Sequence, residues 1–339
     1  MTWGGRADAL TTRSEMTRTI RVGDVSLVCH VRGRGPLCVV HPGGPGLLAD
    51  YLRMPLLERD LTMVYLEPVG TGASGGLPRG GRYDLDTYAD HLDAVVAEFS
   101  SEPVFVLGHG HGGFVAQRYA MRNPSRVAGL ILYATSPVAD GHTRTAARER
   151  LGRFAWANAD RADPEAMIAA YDRPADRSVH ETTARLWGIL PAFFADYWRR
   201  RLEFAPLLGA LPCWPRPAAE FDFRAELSAI TAPTMVIWGK HDFEFGDEAA
   251  QLLRSGIPDA YAAGFRESGH FAHIEEAERF SYVVMEFARR VSDGASGEFV
   301  RPGRVKGQPA TYASAAPDAT PPGRMGPAER LARDHSGSW

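Results

Sequence analysis

Lysine is almost missing from these 339 residues: only Lys240 and Lys306 occur, and arginine carries nearly all the positive charge. With a formal net charge of -3, the chain offers no basic stripe for a phosphate backbone, so no nucleic-acid partner is expected. Long apolar runs are also missing. None approaches the roughly 18 residues that a membrane-crossing helix needs, so no membrane partner is expected either. The first sixteen residues lack the apolar core of a secretory signal, which points to a cytoplasmic protein. Cysteine is scarce: Cys29, Cys38 and Cys213 form no CxxC pair, which argues against a disulfide framework or a zinc site. Cys29 and Cys38 lie in apolar stretches, where a buried inert thiol is expected. No G-x-G-x-x-G opens the first strand unit, so a dinucleotide cofactor is not implied, and no cofactor of any kind is expected.

What is present is a hydrophobic content of 45%, enough for a substantial core in one large domain with an inserted subdomain. Short apolar runs at 26–31, 37–41, 61–66, 104–108, 127–133, 234–238 and 261–265 alternate with amphipathic stretches, the pattern of an α/β fold with a mostly parallel sheet. Leu85, Tyr88, Leu92, Val95, Val96 and Phe99 repeat at helical spacing behind Asp84, a good N-cap residue. A second helix is predicted over 113–121, stopped by Asn123-Pro124, and Phe280, Val283, Val284 and Phe287 mark a last one.

Between residues 137 and about 228 the alternation stops, and the segment becomes arginine-rich and helical in character. It is expected to be an inserted cap over the core formed by 17–136 and 229–291. Its aromatic residues, among them Trp156, Trp187, Phe193, Phe194, Tyr197, Trp198 and Trp214, should build mainly the cap's own core. Trp156, Trp187, Phe193 and Trp198 are the candidates for contact with a substrate. Residues 1–16 and 292–339 are expected to be flexible, the latter because Gly, Pro, Ala, Ser and Arg dominate it.

The apolar run ending at Leu107 leads into Gly108-His109-Gly110-His111-Gly112-Gly113 and then a helix. This is the strand-turn-helix setting of the nucleophile elbow G-x-S-x-G, with glycine at the centre where a serine would stand. His41-Pro42-Gly43-Gly44-Pro45-Gly46 resembles the oxyanion loop of the proline iminopeptidase branch of the α/β-hydrolases. The stretch from Tyr65 to Ser74 resembles the Asp-Gln-Arg-Gly-x-Gly-x-Ser turn of that branch, keeping its glycines and serine. Asp242 follows the run 234–238, and His270 lies in Glu267-Ser268-Gly269-His270-Phe271 before the final helix, in the chain order nucleophile, acid, histidine. The resemblance spans residues 20–291 and implies an α/β-hydrolase fold. It assigns Gly110 to the nucleophile position, Asp242 to orienting the imidazole, His270 to the base, and the backbone N–H groups of Gly44 and His111 to the oxyanion hole.

Gly110 removes the serine acyl-enzyme route. The cap carboxylates with which proline iminopeptidases hold a free amine have no clear counterpart in Glu203, Glu220 or Glu244. His109, His111, His241 and His273 are read as structural neighbours, since no pair of them has a supporting carboxylate for a metal. Three readings remain: an enzyme of small-molecule metabolism using a His270-Asp242 general-base dyad, an ordinary serine hydrolase carrying an engineered Ser→Gly change, and a non-catalytic binder. The oligomeric state is left open.

Overall fold

The computed structural model describes residues 15–173, 178–217 and 220–294. In chain order the strands are β1 Glu15–Val22, β2 Val25–Gly33, β3 Leu37–His41, β4 Thr62–Glu67, β5 Val104–His109, β6 Val127–Tyr133, β7 Val138–Ala139, β8 Phe221–Asp222, β9 Thr234–Gly239 and β10 Ala260–Phe265. The helices are α1 Leu85–Phe99, α2 His111–Arg122, α3 Gly141–Ala157, α4 Pro164–Asp172, α5 Val179–Ile189, α6 Tyr197–Gly209, α7 Asp247–Gly256, α8 Ala272–Glu275 and α9 Ala277–Ser292. Eight strands form one sheet in the order β1-β2-β4-β3-β5-β6-β9-β10, antiparallel at β1-β2 and β2-β4 and parallel elsewhere. This is the α/β-hydrolase architecture expected from the sequence.

The central strands read as continuous apolar runs because both faces of the sheet are covered. Successive residues alternate between two cores. Val39, Val106, Leu130 and Leu132 pack with α1, α2 and α7, whereas Val40, Leu107, Ile131 and Tyr133 pack with α9 and the inner residues of α3 and α4. Asp84 caps α1 by accepting the Thr87 N–H at 2.9 Å.

Among the elements not read from the sequence, β1 and the β7-β8 ribbon bear most on the layout. β1 begins at Glu15, so residues 15 and 16 are strand rather than part of a flexible terminus. It is an edge strand with six of its eight residues exposed, and it therefore lacks the apolar run that marks its neighbours. The available signal was Gly23-Asp24, a two-residue hairpin turn with Gly23 at φ 58°. The 137–228 segment is helical, as α3 to α6 attest, but its ends pair as the antiparallel ribbon β7-β8, which brings the start and finish of the segment together. At the other terminus α9 runs to Ser292, and the expectation for 292–339 falls almost entirely outside the described residues.

Candidate active site

The sheet's carboxyl edge gathers the residues singled out above. β5 ends at His109, and the chain turns through Gly110 (φ 52°, ψ -119°) into α2. The turn is tied down on both sides: the Gly110 N–H donates to the Tyr133 carbonyl at 3.0 Å, and its own carbonyl accepts from the Gly113 N–H at 2.9 Å and the Thr135 hydroxyl at 2.8 Å. Glycine at 108 and 112 is required by close backbone approach, since a Cβ would collide with the carbonyl oxygens of Gly112 and His41 respectively. Gly110 differs. A Cβ there would meet His270 Nε2 at 3.6 Å and the Gly43 Cα at 3.7 Å, ordinary contact distances.

The loop after β9 carries Asp242, whose side chain is fully buried. Its Oδ2 accepts from His270 Nδ1 at 2.8 Å, and its Oδ1 accepts the N–H groups of Glu244 (2.9 Å) and Phe245 (3.2 Å). These bonds fix the carboxylate and place the histidine proton on Nδ1, which leaves Nε2 as the free base facing Gly110. Burial works against the charged ring, but the carboxylates of Asp242, Glu244 and Glu275 outweigh it and hold His270 above the ordinary histidine range.

Gly44 lies in the loop after β3, at φ 121° with a cis bond to Pro45. The Gly43 N–H is already taken by the Tyr51 hydroxyl at 2.7 Å. That hydroxyl donates to His109 Nδ1 at 2.7 Å, and His109 Nε2 donates to the His270 carbonyl at 3.1 Å. His109 is therefore a neutral relay between the loop and the backbone of His270, and burial pushes its pKa well below the usual value. His111, the first residue of α2, has no intrahelical acceptor for its N–H. Burial, followed by the charge of His41, lowers its ring to about 3. His273 is buried and bridges Tyr133 and the Tyr51 carbonyl, while His241 is exposed.

The four aromatic residues expected at a substrate separate. Phe193 packs on the His270 ring, with centroids 4.9 Å apart, and the Phe245 ring lies 6.1 Å from it. Trp156 is 61% exposed and lies on α3, only three of whose residues are buried. Trp198 stacks on Phe154 at 5.7 Å with Arg161 against its ring, a contact within the 137–228 segment itself. Trp187 is half-buried with its indole N–H sealed from solvent and unbonded among the described residues. Periodicity cannot tell which side of a marginal helix faces inward.

Of the three acids, Glu203 is exposed and bonds to Arg200, and Glu220 is also exposed. Glu244, two residues after Asp242, is half-buried and interacts electrostatically with His270 and Asp242. Burial lifts its carboxyl to about 7, with the attraction of His270 opposing and the charge of Asp242 adding to the rise. Its carbonyl accepts from Arg150 Nη2 of α3 at 3.0 Å. Tyr51 and Glu275 were not foreseen. Tyr51 has no local signal, because its partner His109 is 58 residues away, whereas the spacing of Glu275, five after His270, was legible. Among the described residues no group of three His, Cys, Asp or Glu could hold a metal ion. Burial raises the thiols of Cys29 and Cys38 to about 12, which leaves them inert.

Proteins with similar sequences or folds include bacterial hydrolases. A 2-hydroxy-6-oxononadienedioate/2-hydroxy-6-oxononatrienedioate hydrolase of Cupriavidus pinatubonensis is 28% identical over 293 residues, covering 79% of this chain and 93% of its own. A 2-hydroxymuconate semialdehyde hydrolase of a Pseudomonas species is 28% identical over 283 residues, covering 80% and 94%. The proline iminopeptidase of Mycobacterium smegmatis superposes with a TM-score of 0.61 at 23% identity, covering 83% of this chain and 100% of its own; at that identity the likeness is one of fold. The family model for the alpha/beta hydrolase fold matches residues 36–277, more than two thirds of the chain, and the protein belongs to that family.

Proposed function

We propose that the protein is an enzyme that hydrolyses an apolar small-molecule carbonyl compound by general-base activation of water, with His270 as base, Asp242 as its partner and no covalent acyl intermediate. The observation that carries this reading is the approach of His270 Nε2, already paired with Asp242, to the side-chain-free position 110. A Cβ would stand 3.6 Å from His270 Nε2, so a water taking the place of a serine hydroxyl there would lie within hydrogen-bonding reach of Nε2. In the proposed step Nε2 takes a proton from that water and the oxygen attacks the carbonyl carbon. The Gly44 and His111 N–H groups receive the developing oxyanion. The bond to the leaving group then breaks, and the imidazolium, stabilised by Asp242, returns its proton to that group. General-base assistance of this kind contributes about 10²–10⁴-fold.

The aromatic rings of Phe193 and Phe245 around the base favour a flat, apolar substrate. The relatives' activities suggest 2-hydroxy-6-oxo dienoates as the first class to try, their flat conjugated chain, rather than the carboxylate it carries, being the part that suits the two rings. The test is a panel of such compounds and of aryl esters, followed by loss of absorbance, with the parent protein and with His270→Ala. Turnover of at least one compound that drops by about 10²-fold or more in His270→Ala supports the reading. Turnover unaffected by that change refutes it, and specific binding of a compound without turnover would favour a binder.

A further inference from the structure

Glu275 has no part in the chemistry just described, yet it is a buried carboxylate with both oxygens committed. Oε2 accepts the Gly269 N–H at 2.7 Å, immediately before His270, and Oε1 accepts the Ala195 N–H at 2.9 Å, from the segment between α5 and α6. The same two stretches meet again where the His270 N–H donates to the Phe193 carbonyl at 2.7 Å. They are so close that a Cβ on Gly269 would collide with that carbonyl. Arg200 of α6 adds a third tie, donating to the Glu275 carbonyl at 3.1 Å while its guanidinium lies 5.2 Å from the Phe204 ring. Burying a carboxylate is costly unless its lone pairs are matched, and here two backbone N–H groups from separate segments match them.

We infer that Glu275 is a positioning residue for His270: it joins the loop carrying the imidazole to the inner segment 193–195 of the inserted region, so that both set the ring's place over Gly110. With its N–H held by Phe193 and its carbonyl by His109, the backbone of His270 is gripped at both ends of the residue. The ring's own Nδ1 bond to Asp242 then needs little further ordering. A buried carboxylate at this spot also faces the imidazole electrostatically, together with Asp242 and Glu244, while Arg200 and Glu276 are the charged groups nearest Glu275 itself. The inference rests on the reading of His270 as the base.

The experiment uses the full-length protein with Glu275→Gln and, as a second conservative change, Glu275→Asp. Glutamine keeps the shape but sets an amide NH2 against one of the two N–H donors, so one tie is lost. The first readout is the NMR signal of the His270 Nδ1 proton, assigned by its loss in His270→Ala, together with the ring's titration. The expected result is folded Glu275→Gln protein in which that signal broadens or disappears through faster exchange and the ring titrates at lower pH. On a compound turned over by the parent, kcat should fall about 10-fold or more with KM little changed, since small displacements of a catalytic group are costly. An unaltered proton signal and titration in Glu275→Gln overturns the inference. So does loss of cooperative unfolding in both variants, because Glu275 would then serve the fold rather than the aim of the ring. The NMR readout needs no substrate, so it can succeed even if the hydrolytic reading fails.

Discussion

Placing a serine at position 110 is the perturbation for which the structure allows magnitudes to be worked out. The new Cβ would lie 3.6 to 3.8 Å from His270 Nε2, the Gly43 Cα and His270 Cε1, so no atom need shift to admit it. The backbone carries the cost. At φ 52° and ψ -119° an L-residue is strained, by about 1–2 kcal/mol, and Gly110→Ser should lower Tm by roughly 1–3 °C for a chain of this size. Against that cost stands a hydroxyl beside a histidine already paired with Asp242 at 2.8 Å. Because nucleophile and base act as one unit, the gain in nitrophenyl-ester hydrolysis should be about 10³-fold or more over the parent. The assay compares parent, Gly110→Ser and the double variant Gly110→Ser/His270→Ala in a stopped-flow time course, with mass spectrometry of quenched samples. Only Gly110→Ser should show a burst and an acyl adduct at residue 110. A folded Gly110→Ser protein with neither, across short and long acyl chains, would mean that the edge of the sheet no longer has hydrolytic geometry.

Replacing Asp242 by Asn should cut turnover about 10²–10⁴-fold with little change in KM, because the amide no longer stabilises a positive ring; an effect under threefold would remove Asp242 from the dyad. Under the proposed mechanism the neutral His270 ring is the working form, and its pKa is raised, so kcat/KM should fall as pH drops through a value above the ordinary histidine 6.5, measured by a pH-rate profile; a limb at or below that value contradicts the account. His41 and His273, lowered by burial to about 4, and His111, to about 3, stay neutral in the fold while the unfolded chain takes up protons near pH 6.5. Stability from these groups is complete above that value and declines as pH falls toward 4, offset in part by Glu244 and Glu275, which hold protons up to about 7. Thermal melts should therefore show a lower Tm at pH 5 than at pH 7, and an equal or higher Tm at pH 5 would count against the buried neutral histidines. Phe193→Ala should raise KM more than it lowers kcat, since the ring borders the base without exchanging protons; steady-state kinetics that put the whole loss in kcat would contradict this.

The sequence was most legible where local rules and tertiary packing agree. The apolar runs of β3, β5, β6 and β9 announced themselves because both of their faces are buried, and their parallel pairing followed from the helices between them. The glycines at 108 and 112 told of a tight turn for a reason the coordinates make explicit, the carbonyls that leave no room for a Cβ. β1 escaped because its residues face water, so the period-2 signal had nothing to act on. At the site, Asp242 and His270 could be named from their places after strand ends, and they stand within one hydrogen bond of each other. The aromatic wall could not be read in the same way. Trp156 and Phe193 look alike as bulky residues of a helical segment, and only packing separates an exposed ring from one laid against the imidazole. The Tyr51-His109 relay depends on a contact 58 residues apart that no spacing rule contains.

The most direct test of base catalysis without a covalent intermediate is intact-protein mass spectrometry on acid-quenched single turnovers of a dienoate or ester that the parent consumes, with methanol present as a competing acceptor. The account predicts substrate loss at the full rate, no mass added to the chain at any time, no partition to the methyl ester through an acyl-enzyme, and no turnover in His270→Ala. A transient adduct of acyl mass on the chain, or substrate loss that survives His270→Ala, would contradict it.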